Sequence, residues 1–154
     1  KKEFQIPLMC SEACAERIRS PQKNAARYFE AFCQLQTYGE QDMSVPINKE
    51  YTCQAELTFK EEISFKWQGN QILLFSLPGH SPGSIGILVN DSCFFSGDSL
   101  FLDRQIELRF PGGSRRDWNE ISLKKIGDIH DNVLVYPGHC EKFVMKERKR
   151  NGCI

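Results

Sequence analysis

Three residues of this sequence combine a ligand-type side chain with a backbone setting that frees it to work. His80 lies in Leu77-Pro78-Gly79-His80-Ser81-Pro82-Gly83-Ser84, and His139 in Tyr136-Pro137-Gly138-His139-Cys140-Glu141. Between them, Asp98 lies in Phe94-Phe95-Ser96-Gly97-Asp98-Ser99-Leu100-Phe101. Each follows an apolar run through a glycine, which lets the chain turn sharply so that the side chain leaves the end of a buried strand and points into a cleft. A lone histidine after a strand is more often a satisfied or solvent-facing side chain than a ligand. Three elements of the same form are hard to explain as folding devices alone. Imidazole and carboxylate suit Zn²⁺, and also Fe²⁺ or Mn²⁺, and a carboxylate can bridge two such ions.

Other reactive side chains have simpler readings. Ser96 and Ser99 flank Asp98, but no His-Asp partner pattern supports a serine mechanism, so they are read as orienting the loop. Cys140 is read as a neighbour of His139 without a role, and His130, in the polar corner Asp128-Ile129-His130-Asp131-Asn132, as a surface residue. The seven cysteines are an odd number with no Cys-x-x-Cys, which argues against a disulfide framework or a zinc knuckle and for a reducing, cytoplasmic setting. Cys10 and Cys14 stand four apart and are read as small buried or half-buried hydrophobes.

The whole-chain properties are those of a globular domain. At 154 residues the chain is long enough for one domain and too short for two ordinary ones, so residues 1–154 are read as a single domain or part of one. Twenty basic residues balance twenty acidic ones, which gives no electrostatic footprint for nucleic acid or an anionic membrane surface. The basic run Lys142, Lys146, Arg148, Lys149 and Arg150 is read as the solvated end of a helix, where cations favour the dipole. No apolar run of about eighteen residues and no signal pattern is present. The start Lys1-Lys2-Glu3, without methionine, suggests an excised, processed or incompletely represented polypeptide.

The elements that must position the three residues follow from periodicity. Phe4 to Leu8 reads as a short strand, and Ser11 as the N-cap of a helix over Ala13 to Arg19 that Ser20-Pro21 stops. A second helix is expected over Asn24 to Leu35, with Ala25, Tyr28, Phe29, Phe32 and Cys33 as one apolar stripe, followed by an irregular connection over Gly39 to Asn48. From residue 50 the period changes to two. Ile63 to Trp67 and Ile72 to Phe75 flank the turn Gln68-Gly69-Asn70, and Ile85 to Val89 and Cys93 to Phe95 flank Asn90-Asp91-Ser92, giving two hairpins. Ser114 then caps a helix to about Ile129, with Trp118, Ile121, Ile126 and Ile129 as its buried face, and Val133 to Tyr136 is a buried strand. The class is α/β or α+β.

The segment Leu77 to Phe101, with Pro-Gly-His-Ser-Pro-Gly-Ser and Phe-Ser-Gly-Asp-Ser-Leu-Phe, resembles the central motifs of the metallo-β-lactamase superfamily, especially its glyoxalase II-like hydrolases. Pro111-Gly112-Gly113-Ser114 and Val135-Tyr136-Pro137-Gly138-His139 match the same group in order and spacing. The resemblance implies an αββα sandwich. It implies that His80 completes the histidine set of a first metal, that Asp98 bridges two metals and is the catalytic residue, and that His139 binds the second. Two zinc ions are implied for the intact site, with iron or manganese as alternatives, and a bridging hydroxide that attacks a thioester, ester or related carbonyl of a small-molecule substrate.

Two departures qualify it. The family's upstream His-x-His-x-Asp-His motif is absent, and His130 is the only other histidine. Each metal would then keep one histidine and the bridge, a set that binds metal poorly. This chain is accordingly expected to be the C-terminal part of an incomplete sandwich that lacks N-terminal strands, inactive when isolated. It would associate through an uncovered sheet edge or with the missing segment. The alternative is a fold remnant that binds or supports a partner without catalysis. The second departure lies in Arg104 to Phe110, where relatives often carry Gly-Arg-x-Asp; here Glu107 and Arg109 stand near those places with the charges reversed.

Overall fold

A computed structural model of the protein describes residues 6–31 and 48–150. The chain forms two compact units, Lys1–Thr58 and Phe59–Ile154. In the first, strand β1 (Met9–Ser11) pairs with β2 (Leu57–Phe59), whose last residue opens the second unit. The expected strand over Phe4 to Leu8 starts later. Phe4 and Gln5 lie outside the described residues; Pro7 has no N–H to give a ladder, and the Leu8 N–H is taken by the Glu56 carboxylate at 2.8 Å. Helix α1 (Glu12–Ile18) is capped as the sequence predicts, with Ser11 Oγ accepting the Cys14 N–H at 3.2 Å.

The second predicted helix is not present over its first turns. Residues 21–28 form turns, with Ala25 at φ 66°. Asn24 is the cause: its Oδ1 accepts the Ala26 N–H at 2.9 Å and its Nδ2 donates to Tyr51 O at 2.8 Å, so a side chain captures backbone groups that a helix would use. Tyr28 and Phe29 are more than half exposed, so they do not form a core stripe. Phe32, Cys33 and the connection from Gly39 to Pro46 and Ile47 lie outside the described residues.

The second unit is a six-stranded sheet in simple neighbour order: β3 (Glu62–Trp67), β4 (Asn70–Ser76), β5 (Ile85–Val89), β6 (Cys93–Gly97), β7 (Leu134–Pro137) and β8 (Phe143–Val144). All pairs are antiparallel except β6 with β7. It follows that β4, β6 and β7 run in one direction and end at one edge of the sheet. Both predicted hairpins are present, with Gln68 and Gly69 at φ 48° and 80°, and Asn90 and Asp91 at φ 52° and 50°, the left-handed values that such tight turns require.

The two faces of the sheet differ. Leu73, Phe75, Leu88, Phe94, Val135 and Phe143 point to one face, where they meet Trp118, Ile126, Ile129 and Met145 in a single core. The opposite face carries Phe65, Trp67 and Phe95, all exposed, and Phe95 stacks on Tyr136 at 5.1 Å.

The crossover from β6 to β7 is a helix, α2, built from Arg115–Asp117, a π-helical turn at Trp118–Ser122 and Leu123–Gly127. Ser114 caps it, as the sequence predicts. The wide turn rotates the face: Trp118 and Ser122 are buried, and Ile121, expected inside, is 41% exposed.

The last helix, α3 (Met145–Arg150), corrects the reading of the basic run. Arg148 is 7% exposed and its Nη1 donates to Leu102 O at 2.9 Å, while Lys149 binds Ile129 O and Asp131. The cations tie down loops as well as complementing the helix dipole. Among the described residues no helix is long and apolar enough to cross a membrane.

Phe94 is fully buried and stacked on Phe75 at 5.7 Å. Phe94→Ala should lower the unfolding free energy by about 3–5 kcal/mol, read as a lower urea midpoint at unchanged slope; a shift below about 1 kcal/mol would mean that this core does not carry the unit.

Candidate functional site

His80, Asp98 and His139 follow the ends of β4, β6 and β7, so the strand directions bring them to the same edge of the sheet. They meet there. His80 Nε2 lies 3.7 Å from Asp98 Oδ2, and His139 Nε2 lies 3.4 Å from Asp98 Oδ1. Each imidazole therefore faces a different oxygen of one carboxylate, at separations wider than an ordinary N–H···O hydrogen bond. The His80 side chain is the most enclosed at 24% exposure, Asp98 is at 38% and His139 at 68%.

The placement of Asp98 is a backbone effect. The β6–β7 register shifts between Phe95 and Gly97, a bulge that re-aims the residue that follows. Ser96, left inside the bulge, is fully buried and donates its hydroxyl to Leu100 O at 3.0 Å, and Ser99 N–H donates to Ser96 O at 3.1 Å. The serines therefore shape the loop, as the sequence reading has it. Gly138 N–H donates to Gly97 O at 2.8 Å, and a Cβ on Gly138 would stand 2.6 Å from Asp98 Oδ1. Only glycine leaves that carboxylate its place.

His80 is held from two sides. Its Nδ1 lies 2.8 Å from the Glu107 carbonyl oxygen, which can only accept, so Nδ1 carries a proton and Nε2 is the nitrogen that bears the lone pair in the neutral ring, on the side facing Asp98. The Phe110 ring stands edge-on to the imidazole at 5.5 Å. The loop before His80 is clasped by α2. Ser122 Oγ donates to Pro78 O at 2.6 Å, Ser114 N–H donates to Gly79 O at 2.8 Å, and Gly79 sits against Trp118, where a Cβ would meet the indole side chain at 3.0 Å.

The charge-reversed segment takes part through its backbone. The Glu107 carboxylate accepts from Arg109 Nε at 3.0 Å, Nη2 at 2.7 Å and the Arg109 N–H at 2.8 Å. The Arg109 guanidinium beside it holds the Glu107 carboxyl down at about 2. A depressed carboxyl keeps its pairing above the ordinary value and loses it only as pH falls through the lowered one, so this exposed clamp persists through the mildly acidic range. Ser122 and the Glu107 carbonyl were not legible in the sequence: a buried serine in a helix and a backbone oxygen carry no motif. His130 is exposed, as expected. Cys140 is exposed at φ 70°, so it projects from a strained turn.

Two imidazoles around a carboxylate, with the far nitrogen of one fixed by a carbonyl, are a donor set of the kind that zinc and iron take. The set is small. Among the described residues no group of three or more His, Cys, Asp and Glu side chains is disposed to hold a metal ion.

No protein-family model matches the chain. It is 34% identical over 92 residues to the hydroxyacylglutathione hydrolase of Bartonella henselae, covering 59% of this chain and 35% of that protein. Among solved structures it is similar to the B3 metallo-β-lactamase BLEG-1, with a TM-score of 0.72, 21% identity and coverage of 97% of this chain and 65% of that one. It is similar also to TTHA1623 in a di-iron-bound form, with a TM-score of 0.65, 20% identity and the same coverage. The chain spans between 30% and 41% of the length of the curated relatives it matches.

Ser122→Ala removes a buried donor from the Pro78 carbonyl. It should cost about 1–3 kcal/mol in urea unfolding and speed hydrogen exchange at Gly79; an unchanged Gly79 rate would show that the clasp does not hold the His80 loop.

Proposed function

We propose that this chain, which has the metallo-β-lactamase fold and is similar in sequence to hydroxyacylglutathione hydrolases, supplies the C-terminal half of a metal-dependent hydrolase site for a thioester, ester or related carbonyl substrate. One observation carries the reading: the two imidazole Nε2 atoms face the two oxygens of the Asp98 carboxylate at 3.7 and 3.4 Å. The donors fit zinc, iron or manganese as far as they go. His80 and Asp98 would hold one ion, Asp98 and His139 a second. Bound metal supplies a Lewis acid that polarises a carbonyl and makes water nucleophilic near neutral pH.

The chain's own contribution is positional. The Glu107 carbonyl keeps the His80 lone pair on Nε2, the bulge at Gly97 turns Asp98 outward, and Gly138 lets the carboxylate lie against the backbone. The small-molecule substrate approaches the open side, where His139 is exposed. The remaining ligands come from polypeptide beyond this sequence, since its third histidine, His130, stands in the corner after α2. The exposed apolar face with Phe65, Trp67 and Phe95 supports association with such a segment.

The small donor set favours a second reading, a fold remnant that binds a partner without catalysis. The two separate in an intact polypeptide that carries the further histidines. There Asp98→Ala should release metal and cut thioester hydrolysis by at least about 100-fold, more than the loss of an outer-sphere contact. Undiminished metal content and turnover in that variant would sink the hydrolase reading.

A further inference from the structure

The junction between β1 and α1 gathers thiols that the histidine-aspartate chemistry does not use. Ser11 is extended and caps α1, which sets Cys10 just before the cap and Cys14 in the first helical turn. Cys10 and Ala15 occupy the two positions where a residue before the cap and the fourth helical residue pack together. Both are buried, with Ala55 beside them and Cys14 packed against the cluster. The Cys10 side chain is 7% exposed and that of Cys14, packed against the same cluster, is half-buried; neither is in a disulfide. Cys53 stands nearby, its N–H donating to Ile18 O at 2.8 Å.

We propose that Cys10 and Cys14 form a reversible disulfide site that exchanges with low-molecular-weight disulfides. Cys14, the more accessible, acts first: its thiolate attacks one sulfur of the small disulfide, forms a mixed disulfide and releases a small thiolate, which takes up a proton. Cys10 then gives its proton to solvent and attacks Cys14 Sγ, expelling the second small thiolate. Two protein thiols are oxidised and one small disulfide is reduced to two thiols. The new ring encloses only Ser11, Glu12 and Ala13, so it removes little chain entropy and adds little stability. Such a bond is suited to exchange rather than to bracing.

The neighbours set the order of events. Burial, followed by the adjoining Cys14 and Cys53, pushes the Cys10 thiol up to about 11, and Arg19 opposes this. The thiolate is the attacking form, so closure is the slow step and should quicken about tenfold per pH unit below that value.

The test treats the full chain with hydroxyethyl disulfide at about pH 7 and about pH 8, traps free thiols with iodoacetamide and maps the peptides. The peptide holding Cys10 and Cys14 should emerge two hydrogens lighter, about tenfold faster at the higher pH. Dithiothreitol should restore it and Cys53 should remain alkylated. Cys53→Ser should leave the yield unchanged, while Cys14→Ser should abolish it with an unaltered circular dichroism spectrum. A mixed disulfide that never closes, unreactive thiols, or pairing of either cysteine with Cys53, Cys33 or Cys153 would overturn the assignment.

Discussion

The close approach of two parallel strand ends governs the candidate site. Gly138 donates its N–H to Gly97 O, and the space a Cβ would fill is taken by the Asp98 carboxylate. Parallel neighbours need a long connection, which here is the α2 crossover. The same crossover that makes β6 and β7 parallel therefore supplies the helix that packs on the sheet. Everything else about the site is arranged around that junction: His139 follows directly from Gly138, and Asp98 directly from Gly97.

His80 reaches the site by another route. It comes from β4, two strands away from β6, and needs its own support. That support is divided between a helix and a loop. Trp118 and Ser122 of α2 fix the backbone before the histidine, and the Glu107 carbonyl fixes the ring. Burying Trp118 in the core under Phe75 and Phe94 thus does two things at once, closing one sheet face and setting the height of the His80 loop.

Much of this was legible in the sequence because the relevant forces are local. Period-two apolar runs with left-handed turn residues predict both hairpins, and a serine cap predicts the starts of α1 and α2. The three glycine-led positions, His80, Asp98 and His139, are the residues that the fold brings together, although strand direction, not spacing, is what makes them meet. The failures have non-local or competing causes. Asn24 spends its amide on backbone groups, one of them at Tyr51, and replaces with turns the first part of a helix that the apolar spacing favours. Arg148 is buried because a carbonyl far away in sequence, Leu102 O, receives it. Ile121 faces outward because the helix changes pitch, which no simple periodicity anticipates.

That change of pitch has a bearing on how the sequence can vary. A π-helical turn accommodates one residue more than an ordinary turn, and it leaves the helix before and after it in different angular phase. Segments 115–117 and 123–127 are therefore keyed to each other through Trp118–Ser122. Deleting one residue there would restore regular winding with Trp118 and Ile126 still on one face, whereas inserting one would turn one of them away from the sheet by about 100°. The stretch can thus shorten by one residue but not lengthen, and Asn119, Glu120 and Ile121, all exposed, are the places where its identity is free to change.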